Sequence, residues 1–521
     1  KKYITQEEMI QVLEFQLGIP HVSLDKYIID PEAPKKISEN LAKRHELIPI
    51  KIEQDKLIVA MSDPLNIFAI DDVSIFTGME VYPVIATPDD INRAIDIYYG
   101  KQEAMKAAEE YKKEYGMMAA PTENANANIE DVVNSAPIVK LVNSIIEQAI
   151  RTRASDVHIE PFDDYIRIRY RRDGQLEEIM RHDIQLLPAI TTRIKITGDM
   201  DIAEKRKPQD GRISMMVDGD SYDLRVSALP TIHGEKIVIR IVDKAELLKS
   251  KEQLGFFPDD LQKYEKILKN PHGIILITGP TGSGKSTTLY TTIRELNREN
   301  INIVTVEDPV EVTLDGINQV QVNPKVGLDF ATALRSILRQ DPNIIMIGEI
   351  RDRETAVIAV RAAVTGHLVV STIHTNDSSS TISRLMDMNI DPFLISTSLV
   401  GVISQRLVRK ICPRCKEEYM PLNSEVDMLY SAGGVRITSL YRGKGCNACN
   451  NSGYQGRIGV YELMPISHQI KQLINRRESA DVIREQALRE GMNTLKKNCA
   501  QLVVQGITTI DEFVRVAYSL E

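Results

Sequence analysis

Eight consecutive residues, Gly279 to Ser286, match the G-x-x-x-x-G-K-S/T pattern of a phosphate-binding loop. Glycines let the backbone curl so that several N–H groups point at one phosphate, while the lysine neutralises phosphate oxygens and the next hydroxyl can bind Mg²⁺. An apolar stretch precedes the loop and a helical pattern follows it, which is the context that this chemistry requires. The candidate ATP-binding residues are Gly279, Pro280, Thr281, Gly282, Ser283, Gly284, Lys285, Ser286 and Thr287, and Ser286 is the candidate Mg²⁺ ligand.

Two acidic residues follow apolar runs farther along the chain. Glu307 ends the run 304–306 and Glu349 comes after the run 344–348. Because ligands bind at the carboxyl edge of a parallel sheet, we expect both acids near the phosphates. Glu349 is predicted to polarise the attacking water, and Glu307 with Asp308 to help hold Mg²⁺. A helix cap or a solvated loop acid is the structural alternative for each.

Two histidines bracket the apolar run 368–373. His374 follows its carboxyl end, where a hydrogen bond to the γ-phosphate would report the state of the nucleotide. His367 precedes the run, and we interpret it as a structural histidine.

Four of the five cysteines form two C-x-x-C pairs: Cys412, Cys415, Cys446 and Cys449. Each pair can supply two thiolates to one tetrahedral ion, and four sulfur ligands leave no open position. The spacing therefore predicts a structural Zn²⁺ site, with a redox dithiol or unpaired core cysteines as alternatives. Cys499 stands alone in a helical pattern and is predicted to be a buried apolar residue.

Composition limits the class of protein. A chain of 521 residues is expected to form three to four domains, and no apolar run is long enough to cross a bilayer. The net charge of −9, the absence of Trp and the aromatic content of 5% all argue against a nucleic-acid-binding protein. We therefore expect a cytoplasmic, multidomain protein without nucleic acid as a partner.

Changes in pattern along the chain predict the domains. We expect an N-terminal α+β domain at 1–100, a flexible linker at 101–133 and a second α+β domain at 134–244. The second domain has a helix near 138–150 and two hairpins with Asp-Gly turns, at 173–174 and 218–219. From 245 to 521, apolar strands alternate with helices, which predicts an α/β domain with a mostly parallel sheet and a zinc module at 410–452.

Arginines are frequent in the second domain. Arg167, Arg169, Arg171 and Arg172 alternate along one predicted strand, which is typical of a solvated face. Arg212 follows a Gln-Asp-Gly turn that can project its side chain toward the nucleotide of a neighbouring subunit.

Together, the phosphate loop, Glu307-Asp308-Pro309, Gly348-Glu349, the stretch 366–376 and the four cysteines resemble the secretion superfamily of hexameric ATPases. The likeness is to the extension (assembly) ATPases of type IV pili and to the type II secretion ATPases, and it covers 134–521. The retraction ATPases of pili lack the cysteines and the long N-terminal region.

The resemblance implies a RecA-like motor preceded by a PAS-like α+β domain and an N-terminal adaptor domain. It implies that Lys285 and Ser286 bind nucleotide and metal, that Glu349 is the catalytic glutamate with Glu307 as an assisting acid, and that His374 lies near the γ-phosphate. Arg212 and Arg225 match segments that carry arginines acting across subunits. The implied partners are five further copies in a hexamer, an inner-membrane platform protein and a cytoplasmic adaptor ring that contacts the N-terminal domain.

The resemblance favours pilus extension over type II secretion as the function, because Tyr3–Met9 with Leu13 and Gln16 resembles the tail of a cyclic di-guanylate-binding motif. The Arg-Leu-Gly head of that motif is not in the sequence, so the sequence alone does not support a complete site for this messenger. Peripheral association with the inner membrane, through partners, is the expected location. A RecA-like nucleic-acid translocase is the alternative of another class.

Overall fold

A computed structural model gives the fold and describes residues 14–115, 136–434 and 437–518, apart from 17, 25, 26 and 28. The contact pattern divides the chain into two compact units, Lys1–Val242 with Gly445–Ser452 and Asp243–Lys444 with Gly453–Glu521. The linker positions 116–133 and the segment Tyr3–Met9, on which the messenger motif was predicted, lie outside the described residues.

The first unit begins with a three-stranded sheet. Its middle strand pairs antiparallel with the first and parallel with the third, and its side chains Leu57 and Val59 are fully buried. The strands are β1 (Leu47–Glu53), β2 (Lys56–Met61) and β3 (Glu80–Ile85). The helices of this region are α1 (Glu39–His45), α2 (Ile67–Thr77) and α3 (Pro88–Tyr115).

Helix α3 continues through residue 100, where the sequence pattern placed a domain boundary. Its second half is rich in Ala, Glu and Lys, which are strong helix formers. Ala104, Ala107 and Ala108 are buried in the same core as the apolar face of α4 (Ala136–Arg151). Residues 101–115 are therefore helical in the structure, and the division into domains stays a prediction.

A six-stranded antiparallel sheet forms the rest of the first unit, in the order β6-β5-β4-β9-β8-β7. Both hairpins turn where the sequence predicts, with positive φ at Asp173-Gly174 and Asp218-Gly219. Helices α4 and α5 (Leu187–Thr197) cover the apolar face. The strands are β4 (Asp156–Pro161), β5 (Tyr165–Arg172), β6 (Gln175–Asp183), β7 (Gln209–Val217), β8 (Asp220–Thr231) and β9 (Gly234–Val242).

The polar face of this sheet is an ion-pair network, so the expectation of a simply solvated arginine face is wrong. Glu160 accepts hydrogen bonds from Arg167, Arg169 and Lys236 at 3.2, 2.9 and 3.0 Å. The two arginine side chains are only about a quarter exposed, at 26% and 25%. Burial alone would raise the pKa of Glu160, but the hydrogen bonds from Arg169 and Lys236 lower it to about 2.

The second unit is built on a seven-stranded sheet in the order β12-β11-β13-β14-β10-β15-β18. Every neighbouring pair is parallel except β15 and β18. This confirms the predicted α/β domain with a mostly parallel sheet. The strands, with the small hairpin β16–β17, are β10 (Gly273–Thr278), β11 (Ile303–Glu307), β12 (Asn318–Gln321), β13 (Ile344–Ile347), β14 (Leu368–Ile373), β15 (Leu399–Ile411), β16 (Lys416–Tyr419), β17 (Leu440–Gly443) and β18 (Tyr454–Pro465).

Helices cover both faces of the parallel sheet, because alternate strand residues are apolar in both directions. Ile274 and Leu276 belong to one core layer, and Ile275 and Ile277 to the other. The helices of this unit are α6 (Lys244–Leu247), α7 (Pro258–Leu268), α8 (Lys285–Leu296), α9 (Phe330–Ile337), α10 (Arg353–Val364), α11 (Ser380–Asp387), α12 (Pro392–Ser398), α13 (Asn423–Gly433), α14 (His468–Asn475), α15 (Ala480–Arg489), α16 (Leu495–Val504) and α17 (Ile510–Tyr518).

Within the described ranges, no helix is both long enough and apolar enough to span a membrane.

Candidate active site

The phosphate loop joins β10 to α8 and curls through glycines in conformations that other residues rarely adopt. Gly279, Gly282 and Gly284 have φ values of +147°, +77° and +86°. A Cβ atom on Gly279 would lie 2.5 Å from the carbonyl oxygen of Gln405, so the curl also depends on close backbone approach. The glycine spacing seen in the sequence is therefore required by the loop itself.

Lys285, the first residue of α8, points its ammonium group back into the curl. Its Nζ donates to the carbonyl oxygens of Gly279 and Pro280 at 2.8 and 3.0 Å. Burial lowers the pKa of Lys285 to about 8; the carboxylate of Glu349 opposes this shift, and the positive charge of Arg406 adds to it. An anion in the loop would favour the charged form of this lysine and oppose the effect of burial, which is the chemistry of a phosphate site.

Two hydroxyls of the loop fit a nucleotide and its metal. Ser283 is 3% exposed, and no residue in the described part of the chain hydrogen-bonds its hydroxyl. Ser286 is exposed in the first turn of α8, where backbone N–H groups also face outward. The loop can therefore bind the phosphates of ATP, with the Ser286 hydroxyl available to Mg²⁺.

Glu349 and His374 lie with Lys285 at the carboxyl edge of the sheet. Glu349 follows β13, and its side chain, 15% exposed, forms an ion pair with Arg351. The Nε2 atom of His374 is 3.5 Å from Oε2 of Glu349. Burial and then the charge of Lys285 lower the pKa of His374, whereas Glu349 acts to raise it. The structure thus brings three of the predicted site residues into one electrostatic cluster.

Glu307 has a different environment, although it ends the neighbouring strand β11. It is 3% exposed, and its carboxylate accepts hydrogen bonds from Tyr290, from Thr305 at 2.6 Å and from Gln319 at 3.0 Å. The adjacent Asp308 is exposed. Direct action of Glu307 on Mg²⁺ or water stays a prediction.

Arg212 and Arg225 lie in the antiparallel sheet of the first unit, in a row of directly opposed residues. Arg212 on β7 faces Arg225 on β8, Arg225 faces Arg240 on β9, and Arg240 faces Asp156 on β4. Asp156 also pairs with Arg171 on its other side. Like charges opposed across strands destabilise a sheet. Residues 209–211, which were predicted to form a turn, belong to β7, so Arg212 lies within a strand.

The four predicted metal-ligating cysteines meet. Their sulfur atoms lie within 4.8 Å of one another, and Cys446 and Cys449 are 3.7 Å apart at sulfur. A zinc ion with Zn–S bonds of about 2.3 Å places its tetrahedral sulfurs about 3.8 Å apart, so the donor set fits this ion. The other two sulfur positions belong to Cys412 and Cys415, and Cys499 is fully buried elsewhere, as predicted.

Two residues beside the phosphate loop were missed from the sequence: Gln405 and Arg406 on β15. Gln405 is 1% exposed and Arg406 is 5% exposed. The polar residues 404–406, directly after the apolar run 399–403, were the available signal. His367, predicted to be structural, donates a hydrogen bond from Nδ1 to the Ala362 carbonyl at 2.9 Å.

Family comparisons agree with this geometry. The family described as type II/IV secretion system protein matches residues 131–515, and the MshEN domain family matches residues 17–105.

Named relatives extend over most of the chain. The type IV pilus assembly ATPase PilB of Myxococcus xanthus is 43% identical over 517 residues, which are 98% of this chain and 91% of that protein. The type II secretion system ATPase E of Vibrio cholerae is 46% identical over 391 residues, 75% of this chain and 77% of that protein. The solved structure of the ATPase DotB of Legionella pneumophila is 21% identical with a TM-score of 0.54, covers 77% of this chain and 98% of that chain, and supports the fold alone.

Proposed function

The chain belongs to the type II/IV secretion system protein family, and we propose that it is the ATP-hydrolysing motor of type IV pilus assembly. The observation that carries the ATPase activity is the convergence of Lys285, Glu349 and His374 at the carboxyl edge of the parallel sheet. The pilus, rather than type II secretion, is favoured because PilB of Myxococcus xanthus matches 98% of the chain at 43% identity, against 93% at 40% identity for the type II secretion system protein E of Pseudomonas aeruginosa.

In this function, Lys285 exchanges the two loop carbonyls for phosphate oxygens of ATP. The Ser286 hydroxyl would hold Mg²⁺, which when bound would supply positive charge to the phosphate oxygens. Glu349 orients a water molecule and accepts its proton as the water oxygen bonds to the γ-phosphorus and the bond to ADP breaks. His374 donates to the γ-phosphate from the neighbouring strand, so ADP and inorganic phosphate are the products.

The arginine row suggests how copies of the chain cooperate. We infer that Arg212 and Arg225 act on nucleotide bound to a neighbouring subunit of a hexameric ring. A guanidinium supplied by one subunit can stabilise the charge on the γ-phosphate of ATP bound to the next subunit. If the ring is the active form, Arg212→Ala and Arg225→Ala lower turnover without weakening binding of ADP to the isolated chain.

The cysteine cluster is proposed to hold one structural Zn²⁺. Metal analysis of the purified chain is expected to find about one zinc ion per chain, lost on Cys446→Ser because three sulfurs no longer close the site. Cys499→Ala is the matched control, since Cys499 lies apart from the cluster. Absence of zinc in undenatured protein would contradict this assignment.

The remaining proposals concern location and partners. We propose that the motor works on the cytoplasmic side of the inner membrane and is attached through a membrane platform protein. An adaptor ring bound to the N-terminal domain is the second proposed partner. Pull-down of the full chain with membrane extract, compared with a chain that lacks residues 1–100 and so keeps Ala104, Ala107 and Ala108 in the core beside α4, would identify which contacts need the N-terminal domain.

Genetic complementation tests the pilus function. Expression in a strain that lacks its pilus assembly ATPase should restore surface pili, and Glu349→Gln should not, whereas the exposed Glu299→Gln serves as control. Restored protein secretion in a strain lacking its type II secretion ATPase, without restored pili, would favour the second candidate, which the 46% identity to the Vibrio cholerae protein supports. Strong stimulation of ATP hydrolysis by DNA would favour a nucleic-acid translocase instead.

A further inference from the structure

Strand β15 runs beside β10 and continues past its end. The parallel register pairs Thr278, the last residue of β10, with Ser404. The next two residues, Gln405 and Arg406, therefore lie alongside the start of the phosphate loop. Both are buried, and buried polar side chains are costly unless they are hydrogen-bonded.

Gln405 contacts the phosphate loop from two directions. Its Nε2 atom donates to the carbonyl oxygen of Ser283 at 2.7 Å. Its backbone carbonyl lies where a side chain on Gly279 would be, and its Nε2 would be 3.1 Å from a Cβ on Gly284. Its Oε1 atom is buried without a hydrogen-bond partner among the residues that the structure describes. The Gln405 side chain therefore fixes the curved conformation of the phosphate loop through Nε2, while its Oε1 makes no hydrogen bond to the described residues.

Arg406 links strand β15 to the segment that follows His374. Its guanidinium donates to the carbonyl of Gln405 at 3.1 Å and to the carbonyl of Asn376 at 2.8 Å. Asn376 is two residues beyond His374, and the intervening Thr375 donates its N–H to the Thr278 hydroxyl at 2.9 Å. The segment after His374 is thus tied both to β10 and to β15.

We propose that Gln405 and Arg406 are positioning residues of the nucleotide site: Gln405 holds the curl of the phosphate loop, and Arg406 couples that loop to the segment that carries His374. This inference rests on the proposed ATPase function. With the Ser283 carbonyl held by an amide, the loop N–H groups face the phosphates before nucleotide arrives. When the γ-phosphate leaves, the Asn376 carbonyl shifts. The guanidinium of Arg406 transmits that shift to β15, which lies beside the phosphate loop.

The two roles predict opposite kinetic effects. Gln405→Leu should weaken ADP binding and raise KM about tenfold, as expected for one lost hydrogen bond to the loop, with little change in kcat. Arg406→Gln should leave ADP binding within about twofold and lower kcat about tenfold, and Arg406→Lys should recover part of this loss. Titration with a fluorescent ADP analogue and steady-state hydrolysis by the full chain measure both. Lys410→Gln, an exposed cation on the same strand, is the matched control.

The outcomes separate this inference from the proposed function. If Lys285→Ala loses ADP binding while Gln405→Leu binds like the wild type, or if Arg406→Gln and Lys410→Gln have equal kcat, the inference is overturned and the function stands. If Lys285→Ala binds ADP normally, the proposed function fails. Where Gln405→Leu does not fold, Gln405→Glu replaces it. Because its carboxylate cannot donate to the Ser283 carbonyl, ADP binding should weaken at least as much, and unchanged binding again overturns the inference.

Discussion

The carboxyl ends of β11 and β13 carry the same residue type in different surroundings. The two strands are parallel neighbours, and a glutamate marks the carboxyl end of each. Glu307 is buried among the uncharged donors Tyr290, Thr305 and Gln319. Glu349 lies at the edge, where its neighbours are cations or a titratable ring.

The difference teaches that a strand end alone does not assign a catalytic acid. A carboxylate whose lone pairs are used by core side chains is a fixed part of the fold. A carboxylate beside Lys285 and His374 can exchange partners when phosphates and water arrive. The comparison therefore predicts chemical consequences at Glu349 and structural consequences at Glu307.

The largest effect is expected at the end of β13. Glu349→Gln should lower kcat by about 10²–10⁴-fold, because it removes the group that takes the proton from water. Binding of ADP should be retained, since the phosphate loop is untouched. Phosphate release by the full chain measures the rate, and Glu307→Gln is the matched comparison. An equal loss in both variants would show that the two acids act as one catalytic unit.

For thermal stability, we expect the larger effect at Glu307 and not at Glu349. Glu307→Gln turns an acceptor into a donor that faces Tyr290 or Gln319, so one buried donor loses its partner. We expect the melting temperature of the motor to fall by about 5 °C, measured by scanning calorimetry without nucleotide. The neighbouring exposed Asp308→Asn should melt like the wild type. If Glu307→Gln melts at the wild-type temperature, the interpretation of Glu307 as a structural residue is wrong.

The sequence could predict what local spacing encodes. The phosphate loop, the cysteine pairs and the alternation of buried strands with helices depend on residues close together in the chain, and each is found as expected. The helical continuation over 101–115 was partly visible as an Ala/Glu/Lys tract. Its burial against α4 depends on the fold and could not be foreseen.

Roles that depend on strand order could not be predicted. Gln405 is remote in sequence from Ser283, and only the placement of β15 beside β10 brings them together. Likewise, Tyr290 comes from α8 and Gln319 from the edge strand β12, so of the three partners of Glu307 only Thr305 is close to it in the sequence. Identical residue types at equivalent strand ends thus acquire different roles from distant neighbours.

A smaller effect is expected at Tyr290, the main partner of Glu307. Burial raises the pKa of Tyr290 well above its usual range, so its hydroxyl keeps the proton that it donates to Glu307. The same hydroxyl accepts from the Glu311 N–H at 3.0 Å. Tyr290→Phe should lower the melting temperature by about 3 °C, and the double variant with Glu307→Gln should fall by less than the sum. Simple additivity would show that the two side chains are not coupled.

The smallest effect is electrostatic and separates the two acids most directly. In the folded chain, the pKa of His374 lies below 6.5, because burial and Lys285 disfavour the charged ring while Glu349 favours it. The stability that depends on the neutral ring is therefore present above pH 6.5 and lost as the pH falls through the folded-state pKa. Glu349→Gln removes the carboxylate that stabilises the charged ring, so the pKa of His374 should fall further.

Glu307→Gln should leave the His374 midpoint in place, because hydrogen bonds hold the Glu307 carboxylate in the core. NMR titration of histidine-labelled protein measures the midpoint, with His374→Gln to assign the signal and His367 as internal reference. A downward shift in Glu349→Gln alone means that charge at the end of β13 reaches the site while charge at the end of β11 does not. An equal shift of the His374 midpoint in both variants would mean that the charge of Glu307 reaches His374 as strongly as the charge of Glu349. The two strand ends would then differ only in their contribution to stability.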